Sequence, residues 1–126
     1  MITLPDGRVV RPEDVLGPAR PGRRVVLSGD TRPCETTTAA AEDADLLIHE
    51  STFGDDEGER AVETAHSTAR EAARVGREAR ARQVVLTHLS NRYDTDPGTL
   101  LRQAQEEMPA CAIASDGWTV EVPLRE

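Results

Sequence analysis

Three short apolar runs in this sequence each end in a side chain that can hold a metal or move a proton. Val25-Val26-Leu27 leads through Ser28 and Gly29 to Asp30, Leu46-Leu47-Ile48 leads to His49 and Glu50, and Gln83 to Leu86 leads through Thr87 to His88. Runs of this kind read as strands buried on both faces of a sheet. In α/β sheets functional groups collect beyond the carboxyl ends of the strands, so Asp30 and His88 are expected to converge despite their separation in sequence. A carboxylate and an imidazole are borderline-hard ligands suited to Zn or Mn. Taken singly, each also has a plainer reading, Asp30 as a turn or helix cap and His88 as a satisfied core histidine. His49 alternates to the opposite strand face from Glu50 and reads as structural.

The elements that must position these groups follow from pattern. Ile2 to Leu4 and Val9-Val10 flank the turn Pro5-Asp6-Gly7, a small hairpin. Pro12, Gly17, Pro18, Pro21 and Gly22 then interrupt the chain too often for regular structure to persist, so residues 1–24 read as a connecting arm. Beyond it strands and helices alternate. A short helix is expected over Thr37 to Ala44, a loop over Gly54 to Glu63, and a long helix from Thr68, where Thr68 and Glu71 have capping-box spacing. That helix buries Ala69, Ala72, Ala73, Gly76 and Ala79, a face small enough to lie close against a neighbour. The last helix starts at Asp96 with Pro97 in its first turn. Cys111 to Ala114 and Thr119 to Val122 are expected as two strands joined through Asp116-Gly117. The order is that of an α/β layer architecture.

Composition narrows the function classes. At 126 residues the chain has room for one domain at most. No apolar run approaches the roughly 20 residues of a membrane helix, and no signal segment opens the chain, so a cytoplasmic location without membrane contact is expected. A net charge of −8 argues against a basic nucleic-acid module, and single copies of Phe53, Tyr93 and Trp118 argue against a base-stacking platform. The charge is uneven, since the first 34 residues carry six Arg against four acids. Cys34 and Cys111 lack CxxC spacing and read as free thiols.

Four strings together say more than any one of them. Ser28-Gly29-Asp30-Thr31-Arg32-Pro33-Cys34, Leu47-Ile48-His49-Glu50-Ser51-Thr52-Phe53, His66-Ser67-Thr68 and Leu86-Thr87-His88-Leu89-Ser90-Asn91-Arg92-Tyr93 resemble, in order and spacing, the C-terminal half of the ribonuclease Z family. The resemblance implies the C-terminal half of a metallo-β-lactamase-type αββα sandwich over residues 25–126, and a zinc-dependent endoribonuclease that removes the 3′ trailer from precursor tRNA. It implies two zinc ions in the complete enzyme, Asp30 bridging them and His88 completing the second site. It also implies that His66 with Glu50 protonates the leaving 3′ oxygen, as a carboxylate beside a histidine would favour. An exposed loop histidine is the plainer reading of His66. Ser51 stands where the family has Ala. Residues 1–24 resemble the returning end of the family's tRNA-gripping arm, which makes Arg23 and Arg24, with neighbouring Arg20, candidates for substrate contact; a solvated basic patch fits them equally. Arg92 either touches phosphate or fixes the loop after His88. A homodimer is the family's common assembly.

One departure is serious. The family's His-x-His-x-Asp-His motif and a further ligand histidine are absent, since His49, His66 and His88 are the sequence's three histidines. Catalytic zinc takes about three protein ligands, so Asp30 and His88 alone are expected to bind it weakly. A missing N-terminal half is therefore the expected partner. Without it one sheet face stays uncovered, and the chain alone is expected to be marginally stable or to aggregate, an expectation that a cooperative melt above about 60 °C would contradict. Two other readings stay open: a non-catalytic remnant that binds a partner subunit, and another phosphoesterase of the same fold.

Overall fold

A computed structural model describes residues 1–125. β1 (Ile2–Thr3) and β2 (Val9–Val10) form the expected antiparallel hairpin as a sheet of their own, followed by the short helix α1 (Pro12–Val15). The main sheet is wholly parallel in the order β3-β4-β5-β6, from β3 (Val25–Leu27), β4 (Leu46–Glu50), β5 (Val84–Thr87) and β6 (Cys111–Ile113). Between them run α2 (Glu35–Ala40), α3 (Gly58–Thr64), α4 (Ala69–Ala79) and α5 (Pro97–Glu107). Parallel strands need such crossovers, and the helices bury the sheet face they cross.

Register decides which side chains are buried. Leu47 pairs with Val84 and Val84 with Cys111, so these three share a face with Leu86, and they pack with the alanines of α4 and with Leu100 and Ala104 of α5. Each fully buried Leu contributes roughly 2 kcal/mol relative to exposure. Nine of the buried apolar residues are Ala, so the core is thin for its length. What the small residues supply is close approach: a Cβ on Gly76 would sit 2.2 Å from Val84 Cγ2, so α4 lies almost on β5. The capping box that starts α4 forms as expected, with Thr68 Oγ1 accepting from Glu71 N at 3.1 Å and Glu71 Oε1 accepting from Thr68 N at 3.0 Å. Asp96 occupies the N-cap of α5, although its carboxylate takes the Thr99 hydroxyl rather than a backbone N–H.

The opposite face is open along its edge strand, although Leu46 and Val85 on it are buried. Val25 and Leu27, on the edge strand, are 46% and 69% exposed, and Ile48 beside Leu27 is half-buried. The expectation that β3 is buried on both faces is thus corrected: only its Val26 side packs against the core. Two further expectations fail. Gly54 to Glu63 is not a loop but a 3-10 turn over Asp55–Glu57 running into α3, whose acidic start suits the positive end of a helix. Thr119 to Val122 forms no strand. The Asp116-Gly117 turn is present, with Gly117 at φ +81° and Trp118 N donating to Ser115 O, but the chain then heads for the amino end of the sheet. There Arg23 Nη1 donates to Val122 O, and Arg125 reaches Asp45.

Candidate active site

At the carboxyl end of the sheet the chain leaves β4 with Glu50 buried, its side chain only 2% exposed. A buried carboxylate needs donors, and five converge. Oε1 accepts from Thr31 N at 3.1 Å and from His66 Nδ1 at 2.5 Å. Oε2 accepts from Thr52 N at 3.1 Å, Thr52 Oγ1 at 2.8 Å and Ser67 N at 3.2 Å. Burial alone would push the Glu50 carboxyl up, but the bonds from His66, Thr52 and Ser67 outweigh it and hold it below the usual glutamate value. The same bonds tie three loops to one point, the Asp30 loop through Thr31, the His66 loop through Ser67, and the end of β4 through Thr52.

His66 stacks on His88, ring centroids 5.4 Å apart at 21°, and its side chain keeps 23% exposure. His88 follows β5 at φ +58°, a left-handed backbone that costs a non-glycine residue about 1 kcal/mol and recurs at functional sites. Its Nε2 lies 3.6 Å from Asp30 Oδ2. A cavity of about 160 Å³ opens here between Leu27, Asp30, Ile48, Glu50, Thr87 and His88. So Asp30, Glu50, His66 and His88 lie together.

The arginines do not join them. Arg24 precedes β3 at the other end of the sheet, where its guanidinium donates to Ala40 O at the end of α2 and to Glu42 O just beyond it. Arg23 holds Val122 O there. Arg92, just past His88, pairs with Glu57 and so ties its loop to the start of α3. His49 is fully buried with Nδ1 on Glu50 O, and burial pushes its pKa down, so it is a neutral structural residue. The site residue that escaped sequence reading is Thr52. Strand alternation puts it on the side of Glu50, two positions back, which was signal enough to find it.

The model of the β-lactamase superfamily domain matches residues 8–89, well over half of the chain. The chain belongs to that superfamily. Among curated relatives, ribonuclease Z of Myxococcus xanthus is 69% identical over 99% of this chain, and the chain spans 41% of that relative's length. Among solved structures, the metallo-β-lactamase-fold protein YhfI of Bacillus subtilis aligns with a TM-score of 0.67 and 30% identity over 75% of this chain and 38% of that one. The short form of human tRNase Z aligns with a TM-score of 0.64 and 30% identity over 82% and 35%. One sheet with helices on one face is thus one half of the superfamily's αββα sandwich.

The metal implied by this superfamily can be tested against the donor set. Glu50, His66 and His88 each bring a ligand atom within 4.8 Å of the others. Yet both Glu50 oxygens are filled by donors and His66 Nδ1 already faces one of them, so this trio is a hydrogen-bonded unit rather than a cage. Asp30 Oδ2 and His88 Nε2 are different: among the described residues neither atom makes a hydrogen bond, and their 3.6 Å separation is close to the roughly 3.4 Å between two ligands of one tetrahedral zinc. This donor set fits a metal, and Asp30 and His88 are the pair that would hold it.

Proposed function

We propose that this chain carries the proton-donating pair and part of the metal site of a zinc-dependent endoribonuclease that removes the 3′ trailer from precursor tRNA. The observation that carries the reading is the 2.5 Å contact of His66 Nδ1 with buried Glu50, beside the Asp30 and His88 pair. Asp30 Oδ2 and His88 Nε2 would hold zinc, which when bound acidifies water and so supplies a nucleophile near neutral pH. Glu50 orients the His66 ring through Nδ1, leaving Nε2 as the atom that can give its proton to the departing 3′ oxygen. Because Glu50 is sealed from solvent and His66 is not, the carboxylate steadies the charged ring while the ring meets substrate.

Two ligands do not make a two-zinc site. The remaining ligands, a second sheet to cover Val25, Leu27 and Ile48, and the rest of the substrate surface are assigned to an N-terminal half, in line with a chain that spans about 40% of its relatives' length. In this reading residues 1–24 are the returning end of a tRNA-binding arm, with Arg20, Arg23 and Arg24 at its base, and the whole enzyme works as a cytoplasmic homodimer. Among the described residues no helix is long and apolar enough to cross a membrane.

The test is reconstitution. The chain is mixed with the part of the Myxococcus xanthus relative that it does not match, in zinc, and offered precursor tRNA. Cleavage by the mixture and by neither component alone is expected. A mixture that associates and holds zinc but leaves the tRNA intact overturns the catalytic reading in favour of a partner-binding remnant. Cleavage of small phosphodiesters with intact tRNA favours another phosphoesterase of the fold.

A further inference from the structure

The Thr52 hydroxyl lies among three partners. Its oxygen is 2.8 Å from Glu50 Oε2, 2.8 Å from His88 Nδ1 and 3.2 Å from His66 Nδ1. A hydroxyl has one hydrogen and two lone pairs, so the proton inventory can be solved. Glu50 receives backbone N–H bonds on both oxygens and offers no proton, so the Thr52 hydrogen goes to Oε2. The lone pairs of Thr52 then accept from both rings. His66 Nδ1–H is shared with Glu50 Oε1, and His88 Nδ1–H is given to Thr52 whole. Thr52 is itself held, 7% exposed and bonded through its own N–H to Glu50.

We propose that Thr52 is a positioning residue that fixes His88 in the tautomer with hydrogen on Nδ1 and a bare lone pair on Nε2, directed at Asp30, and that it couples this metal ligand to the Glu50 and His66 pair. Metal-binding histidines commonly donate their second nitrogen to a carboxylate or carbonyl that orients the ring. Here a hydroxyl takes that place, and because its own hydrogen is committed to Glu50 it can only accept. Donation therefore runs one way from His88 through Thr52 to Glu50, where His66 arrives from the other side as a second donor. The inference rests on reading Asp30 and His88 as metal ligands.

The experiment is nitrogen-15 NMR of the imidazoles in the full chain, metal-free, at a pH where the rings are neutral, with zinc affinity measured separately by titration. Wild-type His88 is expected to show a protonated Nδ1 and an unprotonated Nε2. Thr52→Ser keeps the hydroxyl and should keep this pattern, with zinc affinity within a few-fold. Thr52→Val keeps the shape, loses the acceptor, and should mix the two tautomers and weaken zinc binding about 10- to 100-fold. A wild-type His88 protonated on Nε2 overturns the proposal, and needs no variant, so a Thr52→Val chain that fails to fold does not protect it. So does an unchanged tautomer in a folded Thr52→Val chain. If the tautomer is as stated and the wild-type chain takes up no zinc, the fault lies in the ligand assignment and not in the part given to Thr52.

Discussion

Asp45 at the amino end of the sheet and Glu50 at the carboxyl end are both buried carboxylates, 5% and 3% exposed, and the chain satisfies them differently. Asp45 accepts from Arg24 N at 2.8 Å and from Arg125 Nε at 2.8 Å. Those bonds, the backbone one first, hold its carboxyl below the usual aspartate value. Glu50 faces backbone N–H groups, a hydroxyl and an imidazole. Arginine never releases its proton in water, whereas histidine changes charge near neutral pH. Both ends solve the problem of a buried charge, but only the end that uses histidine can hand a proton on. The amino end fastens the C-terminal segment to the start of β4; the carboxyl end, under the proposed function, is where a proton moves.

The largest break in that comparison comes from the histidine. In the reconstituted enzyme, His66→Ala should lower turnover on precursor tRNA about 10²- to 10⁴-fold, the range of a general acid. Zinc content by atomic absorption should not change. Asp45→Asn in the same assay should leave turnover within a few-fold while lowering the melting temperature by several degrees.

Glu50→Gln sharpens the contrast from the other side. An amide keeps one acceptor but turns an NH2 toward the N–H groups of Thr31, or of Thr52 and Ser67. A cost of about 1–3 kcal/mol in urea unfolding is expected. Acid titration of the wild type should expose both carboxylates together. Each has a depressed folded pKa, so each stabilises the fold above its ordinary value, 3.8 for Asp45 and 4.5 for Glu50, and loses that contribution as pH falls through the folded value. Urea midpoints should hold from pH 7 to about 5 as far as these two groups are concerned, then drop. The Asp45→Asn chain should drop less steeply.

The smallest effect belongs to Cys111, which has burial and no partner. Burial pushes its thiol up to about 11 from 9.0. Its folded pKa is raised, so the stability is intact below pH 9 and is lost as pH climbs toward 11. A melting temperature that declines by a few degrees over that window, and less so in Cys111→Ala, is expected.

The reading of the sequence reached the sheet because its strands are unbroken apolar runs and its two longest helices carry strong start signals, Thr68 with Glu71 and Asp96 with Pro97. It brought Asp30, Glu50 and His88 to one end because the carboxyl ends of parallel strands share an edge, whereas His66, which follows a helix, was joined to Glu50 only through the family resemblance. It misjudged β3, since an apolar run does not reveal that one face lacks a cover. It missed α3, whose acidic composition is that of a loop while its helix dipole favours those same acids. Arg23 and Arg24 looked free because nothing in sequence shows that backbone carbonyls from α2 and the C-terminal segment arrive beside them. Thr52 was overlooked for the opposite reason: a buried hydroxyl is ordinary until three partners share it.

Zinc titration of the full chain by calorimetry, wild type against His66→Ala, Asp30→Ala and His88→Ala, tests most directly whether His66 belongs to the acid pair or to the metal. Weak binding by the wild type, equal binding by His66→Ala, and none by the other two is the predicted result. Loss of zinc binding in His66→Ala would make His66 a ligand and contradict the account.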